Sequence, residues 1–437
     1  MIKKADIHDL LKDYHGSEIY PEIIRLGLEL QANSPKTILA KIDMVYGDQK
    51  RIDGVKKNAP PHRIYGEIGA DIDPKAVHQF YTALKVQPAI QCALMPDAHY
   101  GYSLPIGGVV AYKNAVFPAG VGYDIGCQVC LTITDIPPIE MMTTRRQIQI
   151  MEIMKKHSHL SLGARRDKPL DSDIWDLDLW NLFPNGEKEA ARTQLGTLGS
   201  GNHFCDMVVG EGFGRKWVGL MTHGGSRKVG FNTAKRFSKL AEEKTRKKYR
   251  GVPSGYGWLD MNTQAGMEYY GSMLLMKSFA SENHIRIHEA ILKELGADED
   301  CFMQSVHNFA EPSFRDKDVY IHRKGATPAR TGQYGLIPGS SASPSYIVLG
   351  KGSKDALDSS SHGAGRPKSR TQAKKDHDNN RFLMTMEDQG IIYSGVSPDE
   401  TFMAYKDIGR VIDIQVQADL ISVEGVMDPK IVVMGGK

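Results

Sequence analysis

The chain has 437 residues, 41% of them hydrophobic and 24% charged, an ordinary composition for a protein with a large apolar core. Its 55 basic and 52 acidic residues give a formal net charge of +3, so a nucleic acid would have to bind at a local basic patch. Five cysteines are too few, and odd in number, for a disulfide scaffold, which favours a reducing compartment. The N terminus lacks the apolar core of a signal peptide, and no run approaches the roughly 20 apolar residues of a membrane span. We therefore expect a cytoplasmic protein without a membrane partner.

The N-terminal part of the sequence has a helical pattern. In residues 1–46, apolar side chains at Ile7, Leu10 and Leu11, and again from Ile23 to Leu28, predict two amphipathic helices. Residues 47–62 are rich in Gly, Pro and charge, which is typical of a linker. We therefore predict that residues 1–62 form a helical extension.

The rest of the chain mixes helical and strand patterns. Helices are predicted at residues 75–86, 139–157, 231–249, 262–295, 369–389 and 400–420. Strands are predicted within residues 90–136, 203–209, 217–223, 301–350 and 430–434, and an irregular insertion at 158–188. Because helices and strands do not alternate regularly, the pattern favours an α+β fold over a doubly wound parallel sheet.

Short blocks rich in Gly, His and Asp follow or end the predicted strands. They are MPDAHYG, GVGYDIGC, LGSGNHF, THGGSR, VHNFA, HRKGAT, IPGSSASPS and HGAGR. Glycine beside a side chain that can bind a ligand lets the backbone approach a bound group closely. Eight such blocks in one chain indicate binding or catalysis, because folding alone does not require them.

A first group of these residues has the chemistry of metal ligands. Asp124 and Cys127 lie three residues apart in a predicted turn, where both can reach one cation. His203, His223 and His307 each stand at a strand end beside small residues. A single histidine there is more often structural, but together with Asp124 and Cys127 the three predict a metal site. Cysteine, histidine and carboxylate suit zinc, manganese, iron or cobalt, whereas calcium and magnesium prefer oxygen ligands.

The remaining cysteines have simpler interpretations. Cys130 forms a CxxC pair with Cys127, for which a redox pair and half of a zinc site are the alternatives; the chain has no second CxxC. We expect Cys130 to point into the core from a strand. Cys92, Cys205 and Cys301 lie in apolar runs and are expected to be buried small hydrophobic residues.

A second group has the chemistry of nucleotide and phosphate binding. In HGAGR, His362 is followed by Gly363 and Gly365, and then by Arg366 and Arg370. An accessible neutral histidine beside cations that offset phosphate charge is what a phosphoramidate-forming nucleophile requires. Arg227 and Lys324 add further phosphate-directed charge. For any one of these cations, a solvated surface position is the simpler alternative.

Two weaker signals leave their alternatives open. The loop IPGSSASPS can present hydroxyl and backbone N–H groups to phosphates, but it can also be a plain serine-rich turn. The basic tract at residues 235–250 can contact an RNA backbone as one face of a helix, or it can be a solvated surface helix.

The order of the blocks carries a family resemblance. From about residue 64 to its end the chain resembles the RtcB RNA ligases, through MPDAHYGYSLPIGG, GVGYDIGC, LGTLGSGNHF, HGGSR, HRKGA, QYGLIPGS, HGAGR followed by PKSR, and AYKDI. Each block is moderately specific, and the ordered set is highly specific. The resemblance implies one compact α+β catalytic domain at residues 63–437, in which mixed sheets and surrounding helices enclose a metal-containing cleft.

The resemblance also implies a GTP- and manganese-dependent RNA ligase with assigned residues. Two manganese ions would be held by Asp124, Cys127, His203, His223 and His307. The residue that accepts GMP would be His362, and Asp97 would be an active-site acid. Contacts to GTP would come from Asn202, Asp206, Ser340, Ser345, Ala364, Gly365 and Lys437. Phosphates of RNA or nucleotide would meet Arg227, Lys324, Arg366 and Arg370.

The implied reaction joins two RNA ends. A 2′,3′-cyclic phosphate is opened to a 3′-phosphate, GMP passes from His362 to that phosphate, and the 5′-hydroxyl of the other end attacks and releases GMP. Archease is an implied activating partner. Three other functions fit some of the residues: a metal-dependent phosphoesterase or nuclease, a nucleotidyltransferase that caps 3′-phosphates without sealing, and a non-catalytic binder of RNA ends.

The sequence departs from the family pattern at three positions. Gly224 stands where the family has a serine, and Asp206 stands where a glutamate is usual, so a contact to guanine would have a shorter reach. The chain ends in Gly–Gly–Lys, which displaces Lys437 by one residue from the usual ending. These changes are typical of a divergent branch.

Overall fold

The computed structural model describes residues 2–15, 17, 19–47 and 52–436, so Lys437 lies outside the described residues. The helices α1 to α12 are, in chain order, Lys4–Leu10, Tyr20–Glu29, Pro35–Tyr46, Pro74–Leu84, Pro118–Val121, Thr144–Ser158, Glu187–Arg192, Arg227–Lys248, Gln264–Leu295, Arg370–Lys375, Asn379–Asp388 and Ile408–Gln417. None of the helices in the described ranges is long and apolar enough to span a bilayer.

The strands β1 to β19 form two large sheets and three short pairs. Their bounds are Ile52–Asp53, His62–Ile64, Ala89–His99, Ile106–Lys113, Ala115–Val116, Gln128–Thr134, Phe204–Gly212, Arg215–Gly224, Tyr249–Arg250, Leu259–Asp260, Glu299–Val306, Asn308–Pro312, Val319–Lys324, Ala326–Pro328, Tyr334–Ile337, Ser345–Gly350, Ser359–Ser361, Ile392–Ser394 and Ile421–Met434. The larger sheet has the order β11-β6-β8-β7-β19-β16-β15, with β18 also on β19, and the smaller has the order β12-β13-β4-β3-β2.

Both large sheets are mixed, because most neighbours are antiparallel while β18 runs parallel to β19 and β2 parallel to β3. Helices and strands do not alternate along the chain, so the predicted α+β class is confirmed.

The larger sheet is covered on both faces, which explains the apolar runs of its central strands. On one face, Cys205, Met207 and Leu220 pack with Ile287 of α9. On the other face, Leu131 and Trp217 belong to a second cluster. Every residue of β6 is buried. The sheet is therefore a rigid support for the side chains at its strand ends.

Several predicted boundaries were wrong, and local capping explains most of the differences. Three helices replace the two predicted before residue 47, because the Ser34 side chain accepts a hydrogen bond from a backbone N–H and caps a new helix. The helix predicted at 369–389 is divided, since Asp378 caps the second half. The last helix begins only after Asp407, which caps it. α8 begins at Arg227 instead of residue 231, and β19 extends back to Ile421.

The first three helices share a core of their own, formed by residues Ile7, Leu11, Tyr14, Ile23, Ile24, Ile38 and Ile42. The described chain after them contacts the rest of the protein, because β1 pairs with β9 and the Lys56 N–H donates to the Lys85 carbonyl. The helical extension at residues 1–62 stays a prediction. The contacts of β1 and Lys56 bear on its boundary, because through them the chain from residue 52 onward packs on the rest of the protein.

Candidate active site

A cavity of about 660 Å³ lies where the ends of the two large sheets meet. The ends of β7, β8 and β19 form one wall, and the ends of β3, β4 and β13 form the other. Residues 338–341 and 362–366 close the cavity between them. Ligand-binding loops supported by rigid strands are a common arrangement in enzymes, because the scaffold fixes side chains that loops alone would leave mobile.

Five side chains with metal-ligand chemistry converge beside this cavity. The Cys127 Sγ lies 3.2 Å from the His223 Nε2 and 3.7 Å from the His203 Nε2. The His203 Nε2 lies 3.1 Å from the Asp124 Oδ2, and the His223 Nε2 lies 3.3 Å from the His307 Nε2. Ligand atoms of Cys127, His203 and His223 lie within 4.8 Å of one another. Such a set of S, N and O donors fits a transition-metal ion.

Backbone carbonyls orient two of the histidines. The Nδ1 of His203 donates to the Leu198 carbonyl over 2.7 Å, and the Nδ1 of His223 donates to the Asn202 carbonyl over 2.9 Å. These bonds select the tautomer in which Nε2 carries a free lone pair. Metal-binding histidines are usually held by their second nitrogen in this way.

Burial sets the charge state of the cluster. It lowers the pKa of His223 to about 3 and that of His307 well below its usual value, so both rings are neutral. Burial works against ionisation of Asp124, but the contacts of its carboxyl group with His203 and Cys127 outweigh burial and lower the carboxyl pKa to about 2. Burial also raises the pKa of the Cys127 thiol well above its usual value. A cation at this cluster would therefore be needed to hold the thiolate.

The partly exposed His362 and the fully buried Asp97 form a pair next to this cluster. The His362 Nδ1 lies 2.6 Å from the Asp97 Oδ2, and the His362 backbone N–H donates to the same oxygen over 3.1 Å. The His362 ring centroid is 5.0 Å from that of His307. With Nδ1 occupied by the carboxylate, Nε2 is the nitrogen of His362 available to the cavity.

The Asp97 carboxylate stays ionised although it is fully buried. Burial would raise its pKa, but the hydrogen bond with His362 and the charge of Lys406 hold it below the usual value. The Lys406 ammonium donates to the carbonyls of Pro96, over 3.1 Å, and Ala98, over 2.7 Å. Lys406 thus braces the backbone on both sides of Asp97.

Two glycines explain the close approach of the loops. Gly365 has φ +73°, and a Cβ there would lie 2.0 Å from the Asp97 carbonyl oxygen. A Cβ on Gly225 would lie 2.0 Å from the Asp124 Oδ1. A side chain at residue 365 would push the loop that carries His362 away from β3. A side chain at residue 225 would push the turn after β8 away from the Asp124 carboxylate.

The serine-rich loop and β7 line another side of the cavity. The Gly339 N–H donates to the Ser345 Oγ over 3.0 Å, and the hydroxyls of Ser340 and Ser343 are 2.7 Å apart. Asp206 is buried on β7, its Oδ1 has no hydrogen-bond partner among the described residues, and burial raises its pKa well above the usual value. A buried carboxyl oxygen without a partner among the described residues therefore stands in the cavity wall.

The cations differ in how they are held. Burial lowers the pKa of Lys324 to about 7, and its ammonium donates to the Tyr102 carbonyl. The Arg366 guanidinium pairs with the buried Glu400 over 3.1 Å. Arg370 pairs with the same Glu400 and, over 3.0 Å, with Asp399. The two arginines therefore face the cavity with much of their charge balanced by acidic residues.

Most residues singled out in the sequence line this cavity: Asp124, Cys127, Asn202, Asp206, His223, His307, Lys324, Ser340, Ser345, His362, Ala364, Gly365, Arg366 and Arg370. His203 and Asp97 lie directly behind its wall. Arg227 lies further back, with its guanidinium over Gly199 and its Nε donating to the Thr197 hydroxyl over 3.3 Å.

The cysteine predictions were mostly confirmed. Cys92, Cys130 and Cys205 are fully buried. Cys301 is partly exposed, contrary to expectation, because it lies on β11 at the edge of the larger sheet.

Sequence reasoning missed several residues of the site. His99 lines the cavity, and burial lowers its pKa to about 4. Tyr405 and Lys406 belong to the block AYKDI, and His99 to MPDAHYG, so their blocks were recognised although the residues were not. Glu400 lies in SPDE, which carries no comparable signal, and only its contacts with the arginines place it in the site.

Comparisons with known proteins identify the family of this chain. The sequence model of the RtcB family, described as tRNA-splicing ligase RtcB, matches residues 81–179 and 181–435. The chain is 32% identical to the RNA-splicing ligase RtcB of Escherichia coli K12, over 81% of this chain and 93% of that protein. It is 28% identical to the tRNA-splicing ligase RtcB of Thermococcus kodakarensis, over 88% of this chain and 98% of that protein. The matched blocks include those that form the cavity, and the chain therefore belongs to the RtcB family of ligases.

Proposed function

We propose that this protein is an RNA ligase that uses GTP and manganese to join a 2′,3′-cyclic phosphate or 3′-phosphate end to a 5′-hydroxyl end. The observation that carries the proposal is the pairing of His362 with Asp97, 2.6 Å apart, in the cavity that also contains the Cys and His cluster. The named relatives are RNA- and tRNA-splicing ligases. We place the reaction in cytoplasmic RNA processing, either tRNA splicing or RNA repair, with archease as an activating partner.

His362 is the proposed nucleophile. Because the Asp97 carboxylate accepts the Nδ1 hydrogen, the Nε2 lone pair is free to attack the α-phosphorus of GTP. An N–P bond forms, and the bond to pyrophosphate breaks, so that pyrophosphate leaves with the electron pair. The carboxylate stabilises the positive charge that develops on the ring, as an acidic partner of a catalytic histidine commonly does.

The GMP then moves to RNA. An oxygen of the RNA 3′-phosphate attacks the phosphorus of the His362 adduct, and the N–P bond breaks. The 5′-hydroxyl of the second end attacks this activated 3′ end, loses its proton and displaces GMP. A phosphoramidate suits this relay, because it transfers its phosphoryl group more readily than a stable ester does.

The Cys and His cluster fits the proposed metal. Asp124, Cys127, His203, His223 and His307 would hold two manganese ions. The fit rests on the mixed S, N and O donors and on a buried thiol that needs a cation to ionise. When bound, such ions would act as Lewis acids on phosphate oxygens.

The remaining cavity residues are proposed to bind GTP and RNA phosphates. Asp206 would accept a hydrogen bond from guanine through its unpartnered Oδ1. Contacts to the rest of the nucleotide are proposed for Asn202, Ser340, Ser345, Ala364 and Gly365, and for Lys437. Lys324, Arg366 and Arg370 would neutralise phosphates, and Arg227, which lies behind the cluster, would stabilise the anionic forms of Asp124 and Cys127.

Labelling with α-³²P-GTP and manganese, followed by a denaturing gel, tests the nucleophile. We expect a labelled protein whose adduct is acid-labile and base-stable, and which is absent in His362→Ala. Asp97→Asn should slow labelling by about 10²–10⁴-fold, because the ring loses its orienting carboxylate. Peptide mapping that places GMP on another histidine, or the absence of an adduct with every metal, contradicts the mechanism; an adduct formed with ATP changes only the nucleotide.

Defined RNA ends separate the ligase from its rivals. Donors with a 2′,3′-cyclic phosphate, a 3′-phosphate or a 3′-hydroxyl are incubated with a 5′-hydroxyl acceptor, with and without archease. We expect joining of the first two donors only. Capped but unjoined 3′ ends would identify a nucleotidyltransferase, and nucleotide-independent hydrolysis would identify a phosphoesterase.

A further inference from the structure

Three aromatic rings stand in a row at the mouth of the cavity. Tyr102 and Tyr123 line the cavity, and their ring centroids are 6.3 Å apart, edge to face. Phe231, on the second turn of α8, continues the row with its centroid 5.4 Å from that of Tyr123. The side chains are 77%, 39% and 47% exposed, in that order. We call these three residues the aromatic ledge.

The exposure of the ledge has no structural benefit. None of its three rings belongs to a core cluster of the described residues, although buried aromatic rings form much of the core elsewhere. Leaving large apolar surface in water is unfavourable, and contiguous exposed apolar groups commonly mark a binding site. The ledge is therefore a candidate binding surface.

A basic surface continues from the ledge along α8. At 100° per residue, Lys228, Phe231, Lys235 and Lys239 fall on one face of this helix, and all four are exposed. Lys228 and Lys235 have no acidic partner among the residues that the structure describes. Lys239 has only a loose pair with Glu243, at 3.9 Å. We call this the basic face of α8.

Resting on the proposed ligase function, we propose that the aromatic ledge and the basic face of α8 form a track for single-stranded RNA next to an end that is being joined. Unpaired bases would stack on Tyr102, Tyr123 and Phe231, and the backbone phosphates would meet Lys228 and Lys235. Stacking on aromatic rings combined with a positive path for the backbone is the usual means of binding single strands without reading their sequence.

The track predicts a preference among RNA ends. Bases in a duplex are already stacked and paired, so their faces are unavailable to the ledge. The ligase should therefore bind ends with unpaired nucleotides better than blunt duplex ends. The track continues directly from the cavity that contains His362, because Tyr102 and Tyr123 belong to both.

Fluorescence of 2-aminopurine tests the stacking. The full chain carrying His362→Ala binds single-stranded RNA labelled near its 3′-phosphate in one arm and near its 5′-hydroxyl in the other. We expect quenching in at least one arm, which identifies the strand on the ledge. Phe231→Ala should raise Kd about 5- to 100-fold and relieve the quenching, whereas Phe231→Tyr should keep both.

The chain offers a matched control. Phe213 is also 47% exposed and also packs beside one tyrosine, Tyr334, at 5.9 Å, but it lies in the turn between β7 and β8. Phe213→Ala should leave RNA binding unchanged. The double variant Lys228→Gln and Lys235→Gln should reduce the slope of log Kd against log salt by about 1.4, since each phosphate contact to a single strand contributes roughly 0.7.

In the His362→Ala chain, equal RNA affinity and quenching with and without Phe231→Ala would overturn the proposal. Equal binding of blunt duplex and single-stranded RNA would overturn it as well. The binding assay does not depend on catalysis, so it separates two failures. A protein with His362 intact that forms no GMP adduct and joins no RNA contradicts the proposed function. A protein that joins RNA but tolerates Phe231→Ala contradicts only the track.

Discussion

Several buried polar atoms without a hydrogen-bond partner lie around the cavity. Among the described residues they include the Asp97 Oδ1, the Asp206 Oδ1, the Ser341 Oγ and the Arg366 Nε. Each such atom costs about 1–3 kcal/mol of stability when nothing satisfies it. Groups that a folded protein leaves unsatisfied in one place are candidates for contacts with a ligand, because the ligand then supplies the missing partners.

The two cysteines of the CxxC pair should behave differently. Cys127 lies 3.2 Å from the His223 Nε2, whereas Cys130 is fully buried on β6. Losing a residue that only orients a metal ligand typically reduces metal affinity or activity by roughly 10–100-fold. Cys127→Ser should therefore weaken manganese binding and ligation by at least this factor. Cys130→Ser should change both only slightly. Metal content and the rise of Tm on adding manganese measure the effect. Equal losses in both variants would indicate a CxxC metal site instead.

We expect Asp206 to lower the stability of the folded protein while it contributes to nucleotide binding. The unfolded chain releases this proton near pH ~4 and the folded chain holds it to a much higher pH, so raising the pH destabilises the folded state. Asp206→Asn removes this penalty, and its stability advantage should grow by about 1.4 kcal/mol per pH unit above pH ~4, up to the folded pKa. Its GMP labelling should fall.

Thermal unfolding of Asp206→Asn between pH 4 and 8 measures the advantage. Asp388→Asn, at an exposed position on α11, is the matched control and should show no such trend. A pH-independent difference between Asp206→Asn and wild type would mean that the Asp206 carboxyl ionises normally in the folded protein.

At the scale of single elements, the segment from Arg366 into α10 carries cations to the cavity, and the turn before α12 supplies their acidic partners. Glu400 is only 2% exposed and contacts Arg366, Arg370 and the Tyr405 hydroxyl. The Arg366 guanidinium also lies 5.2 Å from the Tyr405 ring. The acidic partners fix the arginine side chains before a phosphate binds, which reduces the conformational entropy lost on binding.

The two arginines should differ in their structural role. The Arg366 side chain is 11% exposed, so Arg366→Ala leaves part of the buried Glu400 charge uncompensated and should cost about 3–5 kcal/mol of stability. The Arg370 side chain is 47% exposed, and Arg370→Ala should cost about 1 kcal/mol or less. Both should slow ligation. Denaturant unfolding and ligation kinetics measure the two effects, with the exposed Arg410→Ala as control. Intact ligation by a folded double variant would exclude both arginines from the site.

At the scale of the whole molecule, the cavity depends on two sheets meeting end to end. His223 comes from the larger sheet, whereas Asp97 and Lys324 come from the smaller one. A shift of one sheet against the other would separate the His362–Asp97 pair from the cluster around Cys127 and His223. The core clusters that pack the sheets against their helices are therefore as important to the site as the residues that line it.

The helices α1 to α3 should be dispensable for nucleotide chemistry. They have their own core, and one of their links to the rest is the ion pair between Asp13 and Arg250, which is partly exposed and worth about 1 kcal/mol or less. A chain that begins at Ile52 should therefore fold and form the GMP adduct at the rate of the full chain. GMP labelling and Tm of both chains test this expectation. Loss of the adduct in the shorter chain would make the helices part of the catalytic body.

The α+β class and the order of the functional blocks could be predicted from the sequence. Hydrophobic periodicity identified the long helices α8 and α9 and most strands of the larger sheet, because these elements bury a continuous apolar face. Asp124, Cys127 and His362 were recognisable because each stands in a short block that contains glycine. Helix ends were the main errors, since a single capping hydrogen bond decides where a helix begins.

Only the tertiary structure decided which of these residues act together. Asp97 and His362 are 265 residues apart, and the register of β3 in the smaller sheet and the Gly365 contact bring them to hydrogen-bonding distance. Glu400 entered the site through its contacts, and Phe231 entered the proposed track through its exposure, and no local pattern encodes either. A sequence motif reports the chemistry and local conformation of a few consecutive residues, whereas distances between remote side chains depend on how whole sheets and helices pack, which is a property of the complete fold.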